Sequence, residues 1–70
     1  MMPLTFADTG EEYVVRKLSG KPEVRKHLEG LGFVIGSCVS VIATIGGNVI
    51  VKVKESRIAI SQEMAQKIMV

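Results

Sequence analysis

A chain of 70 residues with 47% hydrophobic content and a net charge of +2 is too apolar and too weakly charged to be disordered. Its longest basic run is Arg25-Lys26-His27, which is no basic patch of the kind a committed nucleic-acid binder presents, and its single cysteine excludes an internal disulfide. At this length one domain is expected over residues 1–70, burying only about 60% of the surface its unfolded chain exposes.

The opening "MMPLTFADTGEE" has no basic region and turns acidic early, so it does not read as a signal peptide. After a turn at Asp8-Thr9-Gly10, "EYVVRKL" reads as one strand. The segment "KPEVRKHLEGLG" reads as a short helix. Pro22 suits the first helical position, where its missing N–H is not needed, and Glu23 suits the positive end of the helix dipole. Val24, Leu28 and Leu31 form one apolar stripe at i, i+4 and i+7. Gly32 is the stop signal: past the last helical residue it can adopt positive φ, and Phe33 can then pack back on Leu28.

From Gly30 to Val51 run 22 residues without a charged side chain, enough in length for a membrane helix. The composition argues otherwise. Gly36 interrupts the stretch early, Gly46-Gly47-Asn48 is turn chemistry, and "VSVIATI" and "VIVKVK" alternate with period 2. A β-hairpin results. A two-residue loop at Gly46-Gly47 would set Val41 opposite Lys52 and place both lysines on the apolar face. A three-residue loop through Asn48 sets Ile45 opposite Val49, Ala43 opposite Val51 and Val41 opposite Val53, so hydrophobic matching favours the longer loop, with Asn48 in the left-handed region.

"RIAI" reads as a further short strand. Ser61 can cap a helix "QEMAQKI", and Met69-Val70 can close the sheet. The order is β-α-β-β-β-α-β. So many short strands in so short a chain suggest a mainly β fold with short helices, a closed or nearly closed small barrel that leaves few free edges.

Chemistry is hard to build from these residues. His27 is the only histidine, one position off the apolar stripe. Cys38 lies in an apolar strand with no electropositive setting and reads as a packed residue, suited to a reducing compartment. Together they would supply two metal ligands, short of the four of a structural site. The four methionines are scattered, and neither Gly-rich segment has the Lys-Ser/Thr of a phosphate loop. No catalytic, cofactor or metal site is proposed, and the chain is not expected to be an enzyme.

Taken together, "PLTFADTGEEYVVRKLSG", "VRKHLEGLGFVIGSCVSVI" and "GNVIVKVKESRIAISQEMAQKIMV" resemble the FeoA family over essentially the whole chain. The most specific parts are an LxxLGxxxG core at Leu28, Leu31, Gly32 and Gly36, and a close at Ala65, Ile68 and Val70. Family members usually carry proline before the glycine matching Gly36; Ile35 stands there, which loosens the turn. The resemblance implies an SH3-like barrel and an accessory role in bacterial ferrous iron transport. It implies a cytoplasmic protein whose partner is FeoB, the membrane Fe(II) transporter with a GTP-binding cytosolic domain, and which meets the membrane only through that partner. Transition-metal association belongs to the family and is not implied as iron carried by this chain. Two other readings are a small-barrel nucleic-acid binder, which the low charge disfavours, and an SH3-like docking domain related to iron-dependent repressors.

The second face of the hairpin carries Ser40, Ile42, Thr44, Ile50, Lys52 and Lys54, with Thr44 opposite Ile50 and Ile42 opposite Lys52. Either the helix over 22–31 covers the apolar spot made by Ile42 and Ile50, or that spot, rimmed by Lys52 and Lys54, docks a partner.

Overall fold

The computed structural model describes all residues, Met1–Val70. A 3-10 turn, Leu4–Phe6, precedes strands β1 (Glu12–Val14) and β2 (Lys17–Leu18), helix α1 (Pro22–Gly30), strands β3 (Cys38–Ile45), β4 (Asn48–Val53) and β5 (Ser56–Ser61), helix α2 (Gln62–Ala65) and strand β6 (Ile68–Met69). The predicted order holds with one change: the first strand is two. β1 joins a four-stranded sheet in the order β1-β3-β4-β5, while β2 pairs with β6 in a second sheet. The outer edges of β1 and β5 stay unpaired, so the barrel is open rather than closed. Beside β6 the chain ends meet: Met2 N donates to Val70 O and Val70 N donates to Met2 O, each at 2.8 Å.

Helix α1 begins and ends as its residues dictate. Pro22 occupies the first helical position, and Leu28 on the apolar stripe is fully buried while Val24 and Leu31 pack half-buried against the core. At the other end Gly32 N donates to Glu29 O and Phe33 N donates to Leu28 O, both at 3.0 Å, which is the paired bond set of a Schellman cap. Gly32 has the positive φ that cap requires, 110°. Phe33 and Leu28 are both wholly buried in the core cluster. Ser61 caps α2 as expected, its Oγ accepting from Met64 N at 3.1 Å, but α2 stops at Ala65 and the strand that follows begins at Ile68.

The β3–β4 hairpin departs from the predicted register. Its loop is Gly46-Gly47, with Ile45 opposite Asn48, Thr44 opposite Val49 and Ala43 opposite Ile50. Asn48 therefore opens β4 rather than sitting in the left-handed region, and the positive φ falls at Gly46 (59°), the first loop position, as a type II′ turn needs. A bulge at Ile42 then shifts the phase, so that Val41 meets Val51, Ser40 meets Lys52 and Val39 meets Val53. The bulge keeps the lysines off the apolar face despite the short loop. One consequence is that Ile45, expected inward, is 65% exposed.

The fourteen buried residues are all hydrophobic. The inner face of the large sheet supplies Val39, Val41, Val49, Val51, Val53 and Ile60, which pack with Leu4, Leu28, Phe33 and Ile68. No polar or charged side chain is buried among them.

The turn that precedes β3 carries the family departure. Ser37 N donates to Val34 O at 3.0 Å, and Gly36 has φ 95°, the third-position requirement of a type II turn. Ile35 is its second residue, 69% exposed. That position favours proline. Ile35→Pro is expected to raise stability by about 0.4–1 kcal/mol in a urea titration, by restricting the unfolded chain. Gly32→Val is expected to cost about 1–3 kcal/mol. A Cβ at Gly32 would meet Val53 no closer than 3.7 Å, so the loss comes from the backbone and not from a clash; a change of only a few tenths of a kcal/mol would show that the cap tolerates a side chain.

Candidate docking surface

The large sheet has one face in the core and one without a helix over it. Along the outer face the register lines up Glu12, Ser40, Lys52 and Arg57 in a row across all four strands. A second row sets Ala43, Ile50 and Ala59 side by side, and Val14 lies opposite Cys38 near the other end. The surface is therefore an aliphatic strip beside a polar row whose charges run from Glu12 at one edge to Arg57 at the other. Lys52, Lys54 and Arg57 are exposed, and Ile42 and Ile50 are half-buried. A shallow groove of about 240 Å³ runs over it between Glu12, Ser37, Cys38, Ser40, Lys52 and Lys54.

Helix α1 makes no substantial packing contact with β3 or β4, so it is not the cover considered for Ile42 and Ile50. The neighbours on this face also differ from the predicted ones. Ile50 lies opposite Ala43, and Lys52 lies opposite Ser40, because the bulge at Ile42 displaces every pair below it. Thr44 leaves the face altogether. It sits opposite Val49 and lines a small cavity with Leu4, Thr9, Val41 and Gln62. Lys54 stands in the two-residue turn between β4 and β5 and is the only non-glycine with positive φ, 55°. Its side chain is exposed and lines the end of the groove.

Two further positions need correction or addition. Cys38 was expected to be packed; it is exposed. Alternation explains this directly: Val39 is buried, so Cys38 points to the other face, and no helix covers that face. Arg57 was not singled out from the sequence. Extending the β4 register by one strand would have found it, since Arg57 pairs with Lys52. His27 is exposed on α1, and no three His, Cys, Asp or Glu side chains converge in a way that could hold a metal ion.

The FeoA domain model matches residues 2–70. The chain belongs to the FeoA family. Among its relatives is a protein of Methanocaldococcus jannaschii named Fe(2+) transport protein A, 43% identical over 70 residues, spanning all of this chain and 85% of that one. The FeoA of Stenotrophomonas maltophilia, described as an SH3 domain protein and crystallised with zinc, superposes with a TM-score of 0.80 at 25% identity over 99% of this chain and 88% of that one. A manganese-dependent transcriptional repressor contains the same fold, with a TM-score of 0.84 at 20% identity over 94% of this chain but only 38% of its own length. The SH3-like class expected for this FeoA chain is thus the class observed, with open sheet edges.

Because Cys38 is exposed, a bulky thiol reagent is expected to label it stoichiometrically in the native state, at a rate within about tenfold of that in denaturant. Labelling that needs unfolding would place Cys38 under a cover that this fold does not provide.

Proposed function

We propose that this chain is a non-catalytic accessory of ferrous iron transport that docks on the cytosolic GTP-binding part of a FeoB-type Fe(II) transporter. The family match over residues 2–70 and the relative named Fe(2+) transport protein A support the transport role. The observation that carries the docking role is the uncovered outer face: Ile42 and Ile50 supply apolar contact, and Lys52 and Lys54 supply positive charge at its rim. No polar side chain is buried, so every polar and charged side chain is at or near the surface, where a partner would meet it. No helix is long and apolar enough to cross a membrane.

A pull-down with the transporter's cytosolic domain tests this, run nucleotide-free, with GDP and with a GTP analogue. Retention is expected in at least one nucleotide state and should weaken as salt rises, because exposed charges are screened. Lys52→Glu is expected to leave unfolding within about 0.5 kcal/mol of the parent while weakening retention tenfold or more. Ile42→Ser combined with Ile50→Thr should also weaken retention. A stable double variant that binds as the parent does would move the docking site off this face.

A further inference from the structure

The unpaired edge of β5 is unlike most edges of small sheets. Edge strands are usually kept short or carry proline, a bulge or an inward-pointing charge, because a row of free backbone N–H and C=O groups recruits another strand. β1, the opposite edge, is three residues long and starts with Glu12. β5 is six residues long, as long as β4, and pairs with it straight through from Ser56 to Ser61 without a register shift. Its sequence, SRIAIS, contains no proline or glycine. Its inward positions carry Ile58 and Ile60, not a charge, and its one charge, Arg57, is on the outer face. The only element besides β4 that packs substantially on β5 is α2, which follows it directly in the chain. Ile58 is left half-buried against the core, whereas its ladder partner Val51, in the middle of the sheet, is wholly buried.

We propose that β5 pairs antiparallel with β5 of a second copy of this chain, with Ala59 on the two-fold axis. The sequence selects both partner and register. Centred on Ala59, each Ile58 meets the other copy's Ile60, each Arg57 meets a Ser61, and no like charges face each other. Centred one residue earlier, on Ile58, each Ile60 would instead meet the polar Ser56. A two-fold pairing is self-complementary and closes after two copies, so it ends the edge rather than propagating a fibre. The axis stands normal to the sheet, so the pair is one eight-stranded sheet, and both outer faces point the same way. The contact is narrow, well under the roughly 1,000 Å² of a stable interface, so the dimer exchanges with monomer and forms at high concentration.

The register makes the test sharp. Across the axis, Ala59 Cα atoms come within about 4.5–5.5 Å, inside disulfide range, whereas the two Arg57 Cα atoms are about 14 Å apart. In a Cys38→Ser background, which removes the exposed native thiol, Ala59→Cys is expected to form an intermolecular disulfide under mild oxidation and Arg57→Cys is not. Equal cross-linking at both positions, or none at Ala59→Cys, overturns the pairing. Sedimentation of the unmodified chain under reducing conditions, over a hundredfold range up to about 1 mM, should show mass rising with concentration. Ala59→Lys sets two like charges across the axis at an exposed position and should shift that rise at least tenfold higher, with the melting temperature of the dilute chain unchanged. A chain that stays monomeric throughout the range overturns the proposal. Cross-linking and sedimentation are read on this chain alone, with no transporter present, so the outcome does not depend on the transporter reading.

Discussion

The fold depends on what happens around Val15. Its side chain is wholly buried. Its N–H donates to Ser37 O at 2.9 Å and its carbonyl accepts from Gly36 N at 2.8 Å, so this residue belongs to the large sheet. One residue later, Arg16 N donates to Met69 O at 2.8 Å, in the small sheet. A buried backbone group must find a partner, and here consecutive residues find theirs on different sheets. That transfer wraps one sheet against the other and leaves a common interior for the aliphatic core. A straight strand through 12–18 would have kept Leu18 beside the large sheet and left β6, with the chain ends, unattached.

The transfer was legible after the fact in the burial phase. Inward residues alternate at Tyr13 and Val15, then both Arg16 and Lys17 are exposed before Leu18 is buried. Two charged residues in a row inside an apolar strand mark a break of period 2, and reading "EYVVRKL" as one strand passed over it. The helix ends were easier. Pro22, Gly32 and Ser61 act through local backbone chemistry, which needs no knowledge of the rest of the chain, and each performs the expected role. The hairpin was harder because two devices solve the same problem. Periodicity demands that the lysines of β4 leave the apolar face. An extra loop residue achieves this, and so does an extra residue within β3. Nothing in "VSVIATIGGN" prefers the second, and the strand twist that accommodates a bulge at Ile42 is a property of the assembled sheet.

The surface was legible in composition and not in neighbourhood. Ile50, Lys52 and Lys54 were assigned to one side from alternation alone, and Ile50 and Lys52 share the outer face. What alternation cannot say is which residue lies across the strand gap, or whether a helix lies on top. Cys38 shows the same boundary. Its apolar flanks suggested packing, but the direction of Val39 and the position of α1 decide its exposure. Local chemistry sets each element, and the placement of elements sets which residues are accessible to a partner.

The reciprocal bonds between Met2 and Val70 bring the two ends of the chain side by side. A fold whose ends meet behaves as a closed circuit that can be cut elsewhere or spliced into another chain without stretching its interior. The turns between strands, such as Gly46-Gly47, are natural places to open it, since they are exposed and carry no core residue. The same property makes the fold portable: a host protein that supplies its flanking chain at this one point needs no new loop to span it. The same fold covers 38% of the length of a manganese-dependent transcriptional repressor, as one part of a longer chain.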